Sequence, residues 1–187
     1  HDGRIFVVTL SGRIVALGAK SGRIKWAKRL GSRSESSPLI LGRSVIFGSE
    51  SGKLYRLRQS TGRTEWIFKA GGAIKGGAAY ANGKLYIGAY GGSVYAVRAK
   101  NGQLVWRSTT QGARFGFGSG NFYATPAVAY GRVYIGSTDG AASDAVRRRF
   151  GHVHAASGLL DVPALIVEAA TRGEAALSRV VQAAVGA

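Results

Sequence analysis

The chain repeats itself every 40 residues. Two turn glycines and a tryptophan recur at this spacing in three segments that align without a gap, which read SGRIVALGAKSGRIKW from Ser11, SGKLYRLRQSTGRTEW from Ser51 and GGSVYAVRAKNGQLVW from Gly91. The coinciding positions are Gly12, Gly52, Gly92, Gly22, Gly62, Gly102, Trp26, Trp66 and Trp106. A constant period of this length is typical of proteins that place copies of one supersecondary unit side by side.

Within one repeat the apolar residues alternate with a period of two, which predicts strands rather than helices. The second repeat contains four such runs, Ser36–Gly42, Ser44–Glu50, Lys53–Gln59 and Thr64–Ala70. Glycine-containing turns separate them, and glycine supplies the positive φ that tight hairpins need. Four short antiparallel strands per repeat is the content of a propeller blade. We therefore predict an all-β fold, a partial β-propeller of about three and a half four-stranded blades.

A fourth repeat begins and then stops early. Residues 124–140 match residues 76–92 with a shift of 48 instead of 40, so eight residues are inserted, in the loop Gln111–Asn121. After Gly140 the repeat pattern is lost. The predicted domain of propeller repeats spans residues 1–140, with blades near 3–30, 36–70, 73–110 and 122–140.

The remaining residues, 141–187, form a non-repeat tail rich in alanine and valine. Apolar residues such as Leu177 and Val181 recur there at helical spacing, which favours one or two short helices. A slip of the reading frame after Gly140 would give a similar composition, so a helical tail and a frame-shifted tail both stay open. Because the chain begins with His1 and shows no signal-peptide pattern, we expect a fragment or a processed form.

The composition excludes several classes of site. There is no cysteine, which excludes disulfides, Cys-ligated metals and thiol nucleophiles. No apolar run approaches the roughly 20 residues of a membrane-spanning helix.

The formal net charge is +17, and residues 1–140 carry 21 basic and 5 acidic side chains. The basic residues follow both turn glycines of a repeat, so we expect positive charge at both ends of the strands. Such a charge would attract polyanions nonspecifically, although solvated turns explain it equally well.

The residues around the turns also carry a family resemblance. The matching positions are Ala16, Gly22 and Trp26, then Leu57, Thr61, Gly62 and Trp66, then Ala96, Gly102 and Trp106. Over residues 3–140 this pattern resembles the PQQ-like β-propeller repeat, whose hallmark is an alanine and an apolar residue, an acidic residue, a Thr-Gly turn and a tryptophan four residues after the glycine. Where that family commonly has aspartate, this chain has Gly18, Arg58 and Arg98. The hydrogen bond of that aspartate is therefore not expected here.

The resemblance implies a family of quinoprotein dehydrogenases, outer-membrane assembly lipoproteins and sensor domains of bacterial surface proteins, most of which work outside the cytoplasm. Complete rings in this family have seven or eight blades, so about half a ring is expected here. Missing sequence, the tail or a second copy would then cover the open sheet edges, and we expect missing sequence. Our hypothesis is a noncatalytic binding or assembly scaffold at a bacterial cell envelope, whose partner is another protein or the missing blades. A fragment of a PQQ-dependent alcohol or sugar dehydrogenase and a polyanion-binding surface are the alternatives.

Two groups of candidate site residues follow. The glycines and tryptophans of the repeat are interpreted as structural, with each indole filling the gap between neighbouring blades, and the alternative is a stacking platform for a quinone or a sugar. The insertion loop carries Arg114, Phe115 and Phe117 among several glycines, which predicts a contact with a ligand or partner. A plain insertion between blades is the alternative for that loop. Specific nucleic-acid binding is not expected, because the sequence has no recognition helix or RNA-binding signature.

No catalytic, cofactor-binding or metal-binding residue is predicted. Dehydrogenases of the family hold PQQ with calcium, acidic residues and often a vicinal disulfide, so the resemblance implies this cofactor only under the dehydrogenase alternative. Residues 1–140 have no two acidic residues at ligand spacing, and calcium needs several oxygen ligands. His152 and His154 lie two residues apart, but no third metal ligand is evident near them.

Overall fold

The computed structural model describes residues 3–109, 120–129 and 131–137. All secondary structure in these ranges is β. In chain order the strands are β1 Arg4–Val8, β2 Arg13–Gly18, β3 Ile24–Arg29, β4 Leu39–Leu41, β5 Ser44–Phe47, β6 Lys53–Arg58, β7 Thr64–Lys69, β8 Ala79–Ala81, β9 Lys84–Ala89, β10 Ser93–Arg98, β11 Leu104–Thr109, β12 Ala127–Ala129 and β13 Arg132–Tyr134.

The strands form four antiparallel sheets, which we call blades 1 to 4. Blade 1 contains β1-β2-β3, blade 2 contains β4-β5-β6-β7, blade 3 contains β8-β9-β10-β11 and blade 4 contains β12-β13. Neighbours in each sheet are neighbours in sequence, as expected for a row of hairpins. This arrangement confirms the prediction of an all-β, partial propeller. The predicted boundary at Gly140 and the 141–187 tail lie outside the described residues, so the domain division stays a prediction.

The hairpin between the last two strands is built in the same way in blades 1, 2 and 3. The register shifts by one residue just before the turn, next to the pairs Ala16–Trp26, Arg56–Trp66 and Ala96–Trp106. Backbone bonds close each turn, for example from Gly62 N to Arg58 O at 2.8 Å. The side chains of Ser21, Thr61 and Asn101 also accept a weak hydrogen bond from the backbone N–H two residues later. The turn therefore forms without the aspartate of the family pattern.

The core lies between the blades rather than within one sheet. Ile14 of blade 1 packs with Val45, Phe47 and Leu57 of blade 2. A second cluster joins blade 2 to blade 3 and includes Leu54 and Ile87 among others. Two smaller clusters join blade 3 to the beginning of blade 4 through side chains that include Val94, Phe122, Tyr86 and Val133. Each sheet is therefore stabilised chiefly by its neighbour, as in other repeat proteins.

Two strands are shorter than their sequence pattern predicts. The first strand of blade 2 begins at Leu39 instead of Ser36, because Ser36 Oγ donates to Gly76 O at 2.8 Å and Pro38 has no amide hydrogen for a ladder. The next strand ends at Phe47 instead of Glu50. Gly48 there is so close to Ile74 that a Cβ at position 48 would lie 2.3 Å from an Ile74 carbon. Beyond Phe47 the backbone bonds to this connecting loop, where Ile74 N donates to Ser49 O at 2.9 Å.

The antiparallel order gives every blade two different ends. At one end lie the loops between blades and the turns that contain Gly12, Gly52 and Gly92, and we call this end the loop face. At the other end lie the turns that contain Gly22, Gly62 and Gly102, and we call it the turn face. Because basic residues follow the turn glycines at both ends, positive charge occurs on both faces.

Candidate functional site

The repeated tryptophans lie between blades. Trp26 Nε1 donates to Gln59 O in blade 2 at 2.8 Å, and Trp66 Nε1 donates to the equivalent carbonyl, Ala99 O in blade 3, at 3.1 Å. Trp106 packs against blade 4 residues and lies 6.0 Å from the Tyr86 ring centroid, while Trp26 lies 5.9 Å from the equivalent Phe6, both at an interplanar angle of 46°. Trp26 and Trp66 therefore make the same hydrogen bond to the next blade, and Trp26 and Trp106 make the same ring contact.

The turn glycines provide the surfaces on which two of these indoles rest. A Cβ at Gly62 would lie 2.7 Å from the Trp26 ring, and a Cβ at Gly102 would lie 2.8 Å from the Trp66 ring. Gly22 has the same positive φ but no atom within 4 Å of its Cβ position. The geometry supports a packing role for these tryptophans, because residues of the next blade contact each indole.

The loop face carries a cluster of polar side chains that the sequence analysis did not single out. Glu35, Lys75 and Tyr123 come from three successive loops between blades, at equivalent positions separated by 40 and 48 residues. Lys75 Nζ lies 3.3 Å from Glu35 Oε2 and 3.3 Å from Glu50 Oε1. Tyr123 Oη donates to Glu35 Oε2 at 2.8 Å. We call Glu35, Glu50, Lys75, Tyr90 and Tyr123 the loop-face cluster.

Electrostatics within the loop-face cluster favour the charged forms of Glu35 and Lys75 and the neutral form of Tyr123. The hydrogen bond from Tyr123, followed by that from Lys75, lowers the pKa of Glu35 below its usual value. Burial opposes the charge of Lys75, but bonds to Glu35 and Glu50 outweigh it and raise the pKa of Lys75. The bond to Glu35 raises the pKa of Tyr123. Lys75 Nζ also lies 5.3 Å from the Tyr90 ring centroid, within cation–π range. The cluster is thus a charged junction of three connecting loops.

The predicted contact loop Gln111–Asn121 joins β11 to blade 4, so the residues before and after it lie on the loop face. Its residues Arg114, Phe115 and Phe117 lie outside the described residues, so their role in contacts stays a prediction. Tyr123, just after this loop, has 49% of its surface exposed. The repeat register contained the signal for the loop-face cluster, because aligning the connecting loops places Glu35, Lys75 and Tyr123 in one column.

The described carboxylates of the loop face do not fit a site that holds calcium and a quinone. Glu35 and Glu50 both contact the ammonium group of Lys75, which occupies the place a cation would need. Among the described residues, no group of three His, Cys, Asp or Glu side chains could hold a metal ion. His152 and His154 lie outside that part of the chain. The described residues also contain no helix long and apolar enough to cross a membrane.

A second polar network lies near the turn face, in blade 2. Glu65 Oε2 accepts bonds from Ser44 Oγ at 2.6 Å and from Arg56 Nε at 2.8 Å, and Arg58 Nε lies 2.8 Å from Glu65 Oε1. Burial opposes the charge of Glu65, but the bonds from Ser44 and Arg56 outweigh it and lower the pKa of this carboxyl. Arg56 stands where the other repeats have Ala16 and Ala96. That departure from the repeat was the sequence signal for this network.

Comparison with known proteins agrees with this geometry. The family model described as outer membrane protein assembly factor BamB (PQQ_2) matches residues 1–160. The crystal structure of BamB from Moraxella catarrhalis is 25% identical with a TM-score of 0.63, covering 74% of this chain and 45% of its own. The quinohemoprotein alcohol dehydrogenase ADHIIG from Pseudomonas putida HK5 is 18% identical with a TM-score of 0.55, covering 71% of this chain and 29% of its own. The computationally designed protein Ika4 is 14% identical with a TM-score of 0.60, covering 74% of this chain and 82% of its own.

The chain therefore spans less than half the length of this BamB and of this dehydrogenase. None of the curated proteins matches it in sequence. The likeness to the dehydrogenase and to Ika4 shows the fold alone. The family model, in contrast, covers every repeat and most of the chain, which confirms the resemblance expected from the glycine and tryptophan pattern. The chain belongs to the PQQ-like β-propeller family described as outer membrane protein assembly factor BamB.

Proposed function

We propose that the protein is a noncatalytic binding or assembly scaffold at a bacterial cell envelope, and that it contacts a protein partner through its loop face. The observation that carries this proposal is the loop-face cluster, in which Glu35, Lys75 and Tyr123 join three connecting loops into one charged, partly exposed surface. Such a surface on rigid sheets is suited to recognition, because loops held by a scaffold lose little entropy on binding. The family match to an outer membrane protein assembly factor supports the envelope location and this type of role.

The noncatalytic part of the proposal is supported by the side chains on that face. Both described carboxylates are engaged by Lys75, and no cysteine is present anywhere in the chain. Chemistry with a quinone and calcium would need acidic ligands that are free to bind the ion. A fragment of a PQQ-dependent dehydrogenase is therefore the alternative, and an activity assay distinguishes the two.

Site-specific photo-crosslinking in bacterial cells tests the contact surface. Two tyrosines with similar exposure lie at opposite ends of the blades, Tyr123 on the loop face at 49% and Tyr80 near the turn face at 45%. Each is replaced by the photo-reactive amino acid p-benzoylphenylalanine in the full chain. We expect a crosslink from position 123 to a component of the machinery that assembles outer-membrane proteins, and none from position 80. Crosslinks to that component from position 80 alone, or from neither position, would contradict the proposal.

A parallel assay tests for enzyme activity. The purified chain is supplied with PQQ and calcium, and reduction of a dye is followed with alcohols and sugars as substrates. We expect no turnover above that of a sample heated to unfold the protein. Saturable, PQQ-dependent turnover would overturn the noncatalytic assignment and favour the dehydrogenase.

A further inference from the structure

A groove of about 540 Å³ opens on the turn face between blades 2 and 3. Turns of both blades line it, including Arg43 after β4, Arg58 at the end of β6, Gly83 before β9 and Lys100 after β10. This volume lies within the usual range for a small-ligand site. The groove is at the opposite end of the blades from the loop-face cluster, so it is distinct from the surface assigned to a protein partner.

The groove lining is strongly positive. It contains four cationic side chains, Arg43, Arg56, Arg58 and Lys100, and a single carboxylate, Glu65, which gives a net charge of +3. In the described part of the chain, neither Arg43 nor Lys100 has an ion-pair or hydrogen-bond partner for its side chain, and both residues are exposed. Uncompensated cations gathered at one concave surface attract an anion.

The floor of the groove is held in place by hydrogen bonds. Arg56 donates from Nε to Glu65 Oε2 at 2.8 Å and to Ser44 Oγ at 3.0 Å. Its Nη1 reaches across to blade 3 and donates to Ala99 O. Glu65 also holds Arg58 through Nε, while the side chain of Arg58 remains 41% exposed. The guanidinium group of Arg58 is therefore oriented in advance and still open to a ligand, which lowers the entropy cost of binding.

The residues of this floor depart from the repeat together. Forty residues before and after Arg56 the chain has Ala16 and Ala96, which are fully buried. At the position of Glu65 the other repeats have Lys25 and Val105. Blades 1 and 3 form the same hairpin without this network, so blade packing does not require it. An acidic residue and two arginines placed together in one blade only, at the edge of a groove, indicate a site.

We infer that this groove binds a phosphate-type oxyanion, with Arg43, Arg58 and Lys100 as its ligands and with Arg56 and Glu65 as positioning residues. Arginine suits this role because its planar fork of N–H groups matches phosphate geometry, and lysine adds a compact charge. The ring of Tyr80, which is 45% exposed at the groove wall, would contact the group that carries the phosphate. A sugar phosphate and a phospholipid headgroup share this chemistry.

Titration calorimetry with the full chain, at about 0.15 M salt to screen weak surface attraction, provides the test. The probes are glucose 1-phosphate, glycerol 1-phosphate, and phosphatidylcholine vesicles with and without phosphatidylglycerol. We expect saturable binding of a soluble phosphate, of the anionic vesicles, or of both, and the pattern distinguishes a sugar from a lipid source. The double variant Arg58→Gln/Lys100→Gln is expected to bind more weakly, with a dissociation constant raised by about tenfold or more.

The repeat offers a matched control. Arg98 and Lys20 occupy the positions of Arg58 and Lys100 in other blades, lie outside the groove and are exposed. The variant Arg98→Gln/Lys20→Gln removes the same charge from the same face and should keep the affinity of the parent chain. Equal weakening in both double variants would show nonspecific attraction by the net charge and overturn the inference, as would an absence of saturable binding.

A second variant separates binding from folding. Arg56→Ala/Glu65→Val gives blade 2 the residues that blade 3 carries at these positions, so the hairpin should still form. We expect native-like circular dichroism and weakened phosphate binding, because Arg58 then loses the carboxylate that orients it. Unchanged affinity in this folded variant would show that the network does not position the ligands.

Discussion

At the scale of single residues, the turn glycine meets one requirement in all three repeats and a second requirement in two of them. Gly22, Gly62 and Gly102 all have positive φ, of 64°, 71° and 74°, which the hairpin turn needs. Gly62 and Gly102 additionally have an indole of the preceding blade directly above them, whereas Gly22 faces open space. The two requirements can therefore be separated by experiment.

Replacing Gly102 by alanine should cost more stability than replacing Gly22 by alanine. Gly22→Ala adds only the strain of positive φ, about 1–2 kcal/mol. Gly102→Ala adds the same strain and a contact at 2.8 Å with the Trp66 ring, which forces the ring or the turn to move, and overpacking of this kind costs a further ~1–3 kcal/mol. Urea unfolding of both variants measures the difference, and equal costs would show that the indole does not press on the turn.

Trp66 is half-buried, so its loss should cost less than that of a fully buried tryptophan. We expect Trp66→Ala to lower the free energy of unfolding by about 2–3 kcal/mol, below the ~3–5 kcal/mol typical of core positions. Trp66→Phe keeps most of the ring contact but loses the bond to Ala99 O, and should cost about 1 kcal/mol beyond the small change in area. Urea unfolding measures the loss of unfolding free energy in both variants. An effect below experimental error for Trp66→Ala would contradict the packing role.

At the scale of elements, Glu65 ties three strands of blade 2 together. It lies on β7, accepts a hydrogen bond from Ser44 on β5 and contacts Arg56 and Arg58 on β6. At the position of Glu65, blades 1 and 3 have Lys25 and Val105, so no carboxylate links the corresponding strands there. In blade 2 a charge therefore adds to the backbone ladders and apolar packing, and the stability of this blade should respond to acid.

Acid should remove the contribution of Glu65 to stability. The pKa of Glu65 is lowered in the folded state, and in the unfolded chain a glutamate has a pKa of about 4.3. The stabilisation is therefore present above that value and is lost as the pH falls through the lower, folded-state pKa. We expect the difference in unfolding free energy between the parent chain and Glu65→Gln to shrink from about pH 7 to about pH 3. Urea titrations at several pH values measure it, and a difference independent of pH would contradict the ion pairs.

At the scale of the whole molecule, the two faces of blade 1 have different environments. Phe6 and Val8 pack towards blade 2. Ile5 and Val7 face the other way and are 49% and 40% exposed, although the equivalent Val45 and Phe47 of blade 2 are fully buried against blade 1. The same position in the repeat is thus a core position in one blade and a surface position in another. Burial is decided by the neighbouring blade and not by the repeat.

The same substitution at these two faces should have different costs. Val45→Thr places a hydroxyl in the core between blades 1 and 2 and should cost about 1–3 kcal/mol. Val7→Thr places it at an exposed position and should change stability by less than about 0.5 kcal/mol. Unfolding of the dilute protein measures both. A large cost for Val7→Thr would show that this face is covered in solution, and the concentration dependence of the transition would then reveal self-association.

Local pattern was sufficient to predict the strands, the glycine turns and the partial propeller, because alternation and turn chemistry act over a few residues. The wedge role of Trp26 and Trp66 also follows from the repeat and stays a prediction, which the unfolding of the Trp66 variants tests. The loop-face cluster was not predicted, since its members are charged or aromatic residues from separate loops. The groove was missed for a similar reason, because Arg56 meets Ala99 only when two blades are packed together.

The amino-acid sequence by itself determined what each unit of this protein is: a short antiparallel sheet with glycine turns and an indole on its last strand. Hydrogen bonding, positive φ and alternation operate within one unit, so forty residues contain that information. The tertiary structure alone decided which carboxylate meets which cation, where Lys75 and Arg56 are held, and which apolar faces are buried. These contacts join residues of different blades, and their energies depend on distances that exist only after the blades have packed.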